Sequence, residues 1–358
     1  MSKPTGKKRV TLKDVAEYAQ VSLATASLVL QGKGNLRDET REQVERAIEA
    51  TGYHRRPAGK FQETGKNYTL IVDDISNPYF HSLFEGLDRA LESFGHFASL
   101  LSSHDSLERQ NQMLRDLWKS DVDGVILVPA TGTTAEDLKW LDRRRRPLIM
   151  AVRNIANSPF DYVGANPMVG MQLATERLIS LGHRGIAFVG GYSANYAYGA
   201  RYAGFASLMM NKGLAVNPDW IVSGGSTREF GFKGTQRLLA LPEPPRALIG
   251  YNDLVAIGAM DAITAAGLRP GRDVAVIGYD DIPEAALQPV PLTSVATPAD
   301  KLGQVIAEAL QSRGEQTAPS PLDITYPPRL VIRRSCGPAL QAATPRDGAT
   351  AHDAEASL

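Results

Sequence analysis

The chain has 358 residues, 43% of them hydrophobic and 22% charged, with 39 Lys/Arg against 39 Asp/Glu. Such a composition suits a large buried core, and the single cysteine, Cys336, excludes an intrachain disulfide and any multi-cysteine metal site. No apolar run approaches the roughly 20 residues of a membrane span, and the basic N-terminus lacks the apolar segment of a secretory signal, so a cytoplasmic chain without membrane contact is expected.

The overall neutrality conceals an asymmetry. Residues 1–66 carry thirteen Lys/Arg and eight Asp/Glu, a net +5, which leaves −5 on the remainder. Within this basic segment the spacing of Leu12, Val15, Ala16 and Ala19 predicts a first helix over Leu12–Ala19. Gln20-Val21-Ser22 interrupts it, and Ser22 is a good N-cap for a second helix, where Leu23, Ala26, Leu28, Val29 and Leu30 are apolar and Thr25 and Ser27 polar. Two helices this short need a third to bury a core, and Asp38–Ala50 supplies Val44, Ala47 and Ile48. A three-helix head at residues 1–53 with an exposed second helix is the geometry of a helix-turn-helix DNA reader. Ordinary helical bundles share the pattern, but the basic charge supplies the sequence-independent part of DNA affinity. Residues 54–67 combine Pro, Gly and charge without an apolar period and read as a linker.

From residue 68 the pattern changes. Apolar runs at 69–73, 97–101, 124–129, 147–152, 186–190, 247–250 and 274–278 alternate with helical patterns at 79–94, 106–119, 134–143, 168–181, 198–212, 229–240, 253–266 and 299–312. This alternation predicts parallel sheets covered on both faces. Its length predicts two lobes: an N-lobe of about 68–166 plus 298–326 and a C-lobe of about 167–297 plus 327–335. Residues 336–358, rich in Ala, Thr, Pro and Asp, are expected to be a disordered tail. Ligands of open parallel sheets sit at the carboxyl ends of the strands. Those ends carry Asp73-Asp74, Pro129-Ala130, Val152-Arg153, Gly190-Gly191, Tyr251-Asn252-Asp253 and Tyr279-Asp280-Asp281.

Residues 10–53 closely resemble the head of the LacI family of bacterial transcription regulators, through VTLKDVAEYAQVS, Thr25, Ser27, Val29 and TREQVERAIEATGY at 40–53. The resemblance continues to about Arg334, through IVDDISNPYFHSL at 71–83, VDGVILVPA at 122–130, LISLGHRGIAFVGG at 178–191, YNDLVAIGAM at 251–260 and VAVIGYDDIP at 274–283; the LVLQGKGN run resembles one branch of the family. It implies an α/β fold: an all-α helix-turn-helix head joined to a two-lobed body like a periplasmic binding protein. It also implies a ligand-responsive repressor acting as a homodimer on double-stranded operator DNA.

The resemblance places Leu23, Ala24 and Leu28 where family members touch base edges. Three apolar side chains can contact a thymine methyl but offer no bidentate contact, so phosphates and DNA shape are expected to weigh more, with Ser22, Thr25 and Ser27 as polar contacts. For Leu28, packing inside the head is the alternative. In the linker, Pro57, Gly59 and Gln62 depart from the family's minor-groove helix, and Phe61 is the candidate wedge. Arg37 stands where the family prefers a serine cap, so Asp38 is expected to cap the third helix.

In the cleft, Asp280 suits sugar hydroxyls and Arg201 an oxygen-rich ligand, with Asn252 beside them and Asp73, Asn77 and Phe80 facing them from the N-lobe. A carboxylate at a strand end also commonly just caps the next helix. Val152 replaces an acidic residue frequent in the family, which removes one usual effector contact; a sugar or sugar phosphate is expected first, a purine or other metabolite second. No catalytic residue, cofactor or metal is expected, since no nucleophile motif, phosphate loop or metal spacing appears. The alternative class, a solute-binding protein of a transport system, has no use for a basic head.

Overall fold

The computed structural model describes residues 11–30, 36–51, 65–141, 146–315 and 320–339, and the chain divides into two compact units, 1–63 and 64–358.

In the first unit, α1 (Leu12–Tyr18) begins with a capping box in which Thr11 and Asp14 satisfy each other's backbone amides. Next come α2 (Leu23–Leu30) and α3 (Asp38–Thr51). Val15, Ala16, Ala19, Ala26, Val44 and Ala47 are buried together, with Ile48 packed at their margin. Six small side chains suffice because the helices are short and cross closely. Asp38 is the first helical residue of α3 and not its cap; the Arg37 carbonyl accepts the first helical bonds, from Thr40 and Arg41.

The second unit begins before residue 68. The amide of Lys66 donates to His96 and that of Asn67 to Asp123, so the expected linker gives up its last residues to β1 (Asn67–Val72). The first lobe continues with α4 (Pro78–Ser93), β2 (Phe97–Ser102), α5 (Leu107–Lys119), β3 (Gly124–Leu127), α6 (Ala135–Leu138), β4 (Leu148–Ala151) and β5 (Asp161–Ala165). The second holds α7 (Pro167–Ser180), β6 (Ala187–Val189), α8 (Tyr196–Asn211), β7 (Ile221–Val222), α9 (Arg228–Leu239), β8 (Ala247–Gly250), α10 (Asp253–Ala265), β9 (Ala275–Asp280), α11 (Pro283–Leu287) and β10 (Thr293–Ala296). The chain then returns through α12 (Ala299–Glu315) and β11 (Asp323–Tyr326) to the first lobe, and ends with β12 (Arg329–Val331) in the second.

Each lobe has one six-stranded sheet, ordered β11-β5-β4-β3-β1-β2 and β12-β10-β9-β8-β6-β7. All pairings are parallel except β10 with β12, which explains the near-continuous apolar strands such as Gly124–Leu127 and Leu148–Ala151. The chain passes between the lobes at Asn166-Pro167, Thr297-Pro298 and Pro327-Pro328, and proline, which fixes φ, stands in every passage. The passages are also tied together, since the Asn166 amide donates to the Tyr326 carbonyl at 3.3 Å. In the first lobe α4 and α12 cross backbone to backbone: a Cβ on Gly86 would lie 2.0 Å from the Asp300 carbonyl oxygen, and one on Gly303 2.2 Å from that of Leu83.

The packed chain extends past residue 335. Cys336 is buried against Thr293 at 3.2 Å, the Gly337 carbonyl bonds His183 at 2.9 Å, and the Ala339 amide donates to Leu181. The expected tail boundary therefore moves to at least residue 339, because these backbone groups find partners on the second lobe. The rest of the expected tail lies outside the described residues.

Candidate effector cleft and DNA-binding head

In the head, the Ser22 hydroxyl accepts the Thr25 amide at 3.1 Å and lies 2.8 Å from the Thr25 hydroxyl, so Ser22 caps α2. The amides of Leu23 and Ala24 stand in the first helical turn, where no intrahelical acceptor exists. Leu23 is 52% exposed and Ala24 is also exposed; Thr25 and Ser27 are partly so. Leu28 is 38% exposed, while Ala26 takes the buried position of that helix. Leu28 therefore lies on the outer surface and is not packed inside. Tyr18, at the end of α1, is exposed as well and was not among the expected contacts. Phe61, the candidate wedge, lies outside the described residues.

In the body, all six expected effector residues line one pocket between the lobes. Asp73 follows β1 and is buried, with an ion pair to Arg153. Arg153 follows β4, and its guanidinium also reaches Asp105 at 3.0 Å and the Pro129 carbonyl at 3.1 Å. From the other lobe Arg201, in the second turn of α8, donates to the Tyr251 carbonyl and lies 3.5 Å from Asp280 at the end of β9. Its guanidinium carbon sits 3.7 Å from the centre of the Tyr279 ring and 4.4 Å from that of Tyr251. Aromatic faces thus replace part of the hydration a buried cation loses. Asn77 caps α4 through the Tyr79 amide and also bonds Asp280, linking the lobes. A second bond across the cleft joins the Asn195 amide to the Thr131 hydroxyl at 3.2 Å.

Burial raises the Asp280 carboxyl from its ordinary value to about 6, against the pull of Arg201 and the Asn77 hydrogen bond. Burial likewise raises Asp73, with Arg153 opposing. For Arg153 burial acts downward, but Asp73, Tyr251 and Asp105 reverse it and the net shift is upward. One oxygen of Asp73 and the Arg201 Nε are buried without a hydrogen-bond partner. The remaining expected residues are more committed to the fold. Asn252 caps α10 through the Val255 amide at 2.9 Å and donates to the Ser226 carbonyl at 3.0 Å. Phe80 is buried edge-on against Tyr79 at 5.5 Å. Asp253 accepts from Ser294 and from the Ile282 amide, so it pins the turn after β9 instead of facing the cleft.

Arg153 is not among the expected contacts, although it stands at one of the expected strand ends. The reason lies at Val152, whose φ is +64° and whose flanking residues close a tight turn, with the Arg153 amide donating to the Ala151 carbonyl at 2.6 Å. This is a γ-turn of the strained hand, costing about 1–3 kcal/mol for a residue outside its usual backbone regions. It turns Arg153 into the cleft, and a β-branched residue is the last that sequence reasoning would place there. Asp280, at φ +110°, is strained in the same pocket.

Among the described residues no group of three or more His, Cys, Asp and Glu is arranged to hold a metal ion, and no helix is long and apolar enough to cross a membrane.

A three-helix head with an exposed, capped second helix, on a chain whose two-lobed body closes around a polar pocket, defines a ligand-responsive DNA-binding regulator. Residues 11–56 match the model of bacterial regulatory proteins of the lacI family, and residues 175–336 that of a periplasmic binding protein-like domain. The chain is 30% identical over 338 residues to the maltose regulon regulatory protein MalI of Escherichia coli K12, covering 91% of this chain and 99% of that protein. Among solved structures it is similar to a CelR–cellobiose complex, at 28% identity, a TM-score of 0.68 and coverage of 91% and 100%. It is also similar to the lac repressor dimer bound to operator and the anti-inducer ONPF, at 25% identity, a TM-score of 0.69 and coverage of 92% and 100%. The chain belongs to the LacI family and is a ligand-responsive, DNA-binding transcriptional repressor.

Proposed function

We propose that this repressor takes its effector between the lobes of the body, with Asp73, Asn77, Phe80, Arg201, Asn252 and Asp280 as contacts and Arg153 beside them. The observation that carries the reading is the convergence of paired charges from both lobes on one pocket at the strand ends: Asp73 with Arg153 from one side, Arg201 with Asp280 from the other. Carboxylates accept hydrogen bonds from hydroxyl groups and guanidinium forks donate them, which suits a sugar; a purine is the second class. Among relatives of solved structure, CelR is held with cellobiose.

DNA is read by Ser22, Leu23, Ala24, Thr25, Ser27 and Leu28, with Phe61 as minor-groove wedge. One head covers half a site, so the protein acts as a homodimer on a near-palindromic operator, as its lac repressor relative does as a dimer. The effector prefers one arrangement of the lobes and shifts the population towards it, changing operator affinity through the dimer. The role is regulatory and not enzymatic, its place is the cytoplasm, and the relatives' repressor function supports both. A transport role is disfavoured by the head.

Thermal-shift screening of metabolites against the full chain, with operator binding followed by fluorescence anisotropy, tests the proposal. A ligand that stabilises the wild type should also change operator affinity, and Asp280→Ala or Arg201→Ala should abolish both effects. If ligand binding survives both substitutions, the site is elsewhere.

A further inference from the structure

The three helices of the head present different outer surfaces. On α1 and α3 the exposed residues are mostly charged or polar, with ion pairs such as Lys13–Glu17 at 3.9 Å and Arg46–Glu42 at 4.0 Å. On α2 they are Leu23, Ala24 and Leu28. Neither leucine belongs to the buried cluster of the head or to its margin. Ala24 and Leu28, four residues apart, lie one above the other, and Leu23 stands beside them. None of the eight residues of α2 is Arg, Lys, Asn or Gln, the side chains that make bidentate contacts to a purine.

The hydroxyls near this face are already engaged. Ser22 accepts the Thr25 amide at 3.1 Å, and the two hydroxyls lie 2.8 Å apart, so one proton of the pair remains for an outside acceptor. Ser27 is partly buried and has a partner of its own. What α2 offers a base edge is therefore apolar.

In a helix-turn-helix the first residues of the second helix meet the base edges in the major groove. That groove presents hydrogen-bond donors and acceptors from every base pair and a single apolar group, the C5-methyl of thymine. A leucine pressed on a donor or acceptor takes away its water and returns no bond. Pressed on a methyl, it costs no bond and removes apolar surface from water.

We infer that Leu23 and Leu28 determine sequence specificity by reading C5-methyl groups, so that the operator carries thymine where they touch it. This rests on the DNA-reading role proposed above. The contact senses the methyl and not the O4 or N4 group that separates thymine from cytosine. A 5-methylcytosine at the same position therefore satisfies it where cytosine does not. The remaining hydroxyl proton of the Ser22–Thr25 pair goes to a phosphate, a contact that carries no sequence information.

The full-length protein selects from a pool of random duplexes, with and without a soluble metabolite extract. The preferred duplex is then made with each thymine in turn replaced by deoxyuridine, which lacks only the methyl, and binding is followed by fluorescence anisotropy at fixed salt. The expected result is a loss of roughly three- to tenfold at one or two positions per half-site and little elsewhere. Cytosine at such a position should weaken binding, and 5-methylcytosine should recover roughly three- to tenfold over cytosine. Leu23→Ala or Leu28→Ala should bind thymine and deoxyuridine duplexes equally at its own position, with the salt dependence unchanged because the phosphate contacts remain. A leucine with a merely structural role would weaken both duplexes alike and leave their ratio intact, and that result overturns the inference. A preferred duplex indifferent to deoxyuridine at every position also overturns it, while leaving the DNA-reading role standing. No preference for any sequence under either condition would overturn that role as well.

Discussion

Arg153→Ala is the most revealing perturbation of the body. Arg153 and Asp73 are 8% and 5% exposed, and the guanidinium also serves Asp105 and the Pro129 carbonyl. Deleting one member of a buried ion pair strands the other, at about 3–5 kcal/mol. For a body of this size that corresponds to a fall in melting temperature on the order of 10 °C. Asp73 has an escape, which is to take up a proton. Its carboxyl is already raised by burial, and losing Arg153 removes the main opposing influence. An acid raised in the folded state contributes nothing adverse below its unfolded value and costs stability as pH rises through the folded one. The deficit of Arg153→Ala should therefore be small near pH 4 and grow towards pH 7. Adding Asp73→Asn to Arg153→Ala removes both charges of the pair at once and should recover a large part of the loss, a coupling of about 2–3 kcal/mol. Urea unfolding of the full-length protein at both pH values measures all of this. A cost below about 1 kcal/mol at pH 7, or one that does not change with pH, would refute the reasoning.

Three further outcomes are expected. Asp280→Asn should gain on the wild type as pH rises, by about 1 kcal/mol between pH 5 and pH 6, because the folded carboxyl, raised to about 6, stays partly protonated there while the unfolded one is already ionised; parallel unfolding curves check the sign. Gly86→Ala should destabilise the body by about 1–3 kcal/mol, since the new Cβ meets a carbonyl oxygen of α12 at 2.0 Å; thermal unfolding measures it. Ser22→Ala should cost the head about 1 kcal/mol through the lost cap and weaken operator binding, as followed by anisotropy at fixed salt.

The head and the interior strands were legible because each depends on patterns a few residues long. Helical spacing located Val15, Ala16 and Ala19, and uninterrupted apolar runs located β1, β3, β4, β8 and β9. The strands that escaped, β5, β7, β10, β11 and β12, are short or carry polar residues, as in Asp323–Tyr326 and Arg329–Val331. They form because a neighbouring strand offers a register, which no local pattern announces. The same division runs through the pocket. Strand-end residues such as Asp73 and Asp280 were readable from the rule for open parallel sheets. Arg153 also stands at a strand end, but its turn into the cleft was not readable, because it depends on a backbone turn that valine disfavours on its own. Tyr251 and Tyr279 were read as strand-end residues, but their service as ring faces for Arg201 depends on two strands coming together.

The interleaving of the chain between the lobes bears on how the protein is made. The edge strand that completes the first sheet, β11, is more than 150 residues downstream of its partner β5. At roughly 5–20 residues per second, a ribosome leaves that edge uncapped for about 10–30 s. The second sheet waits for β12, closer still to the C-terminus. The head has no such dependence and is free to fold as soon as it emerges. A nascent chain therefore carries a finished DNA reader well before it carries a finished sensor, and a truncated product ending before residue 323 has a head without a complete lobe to govern it.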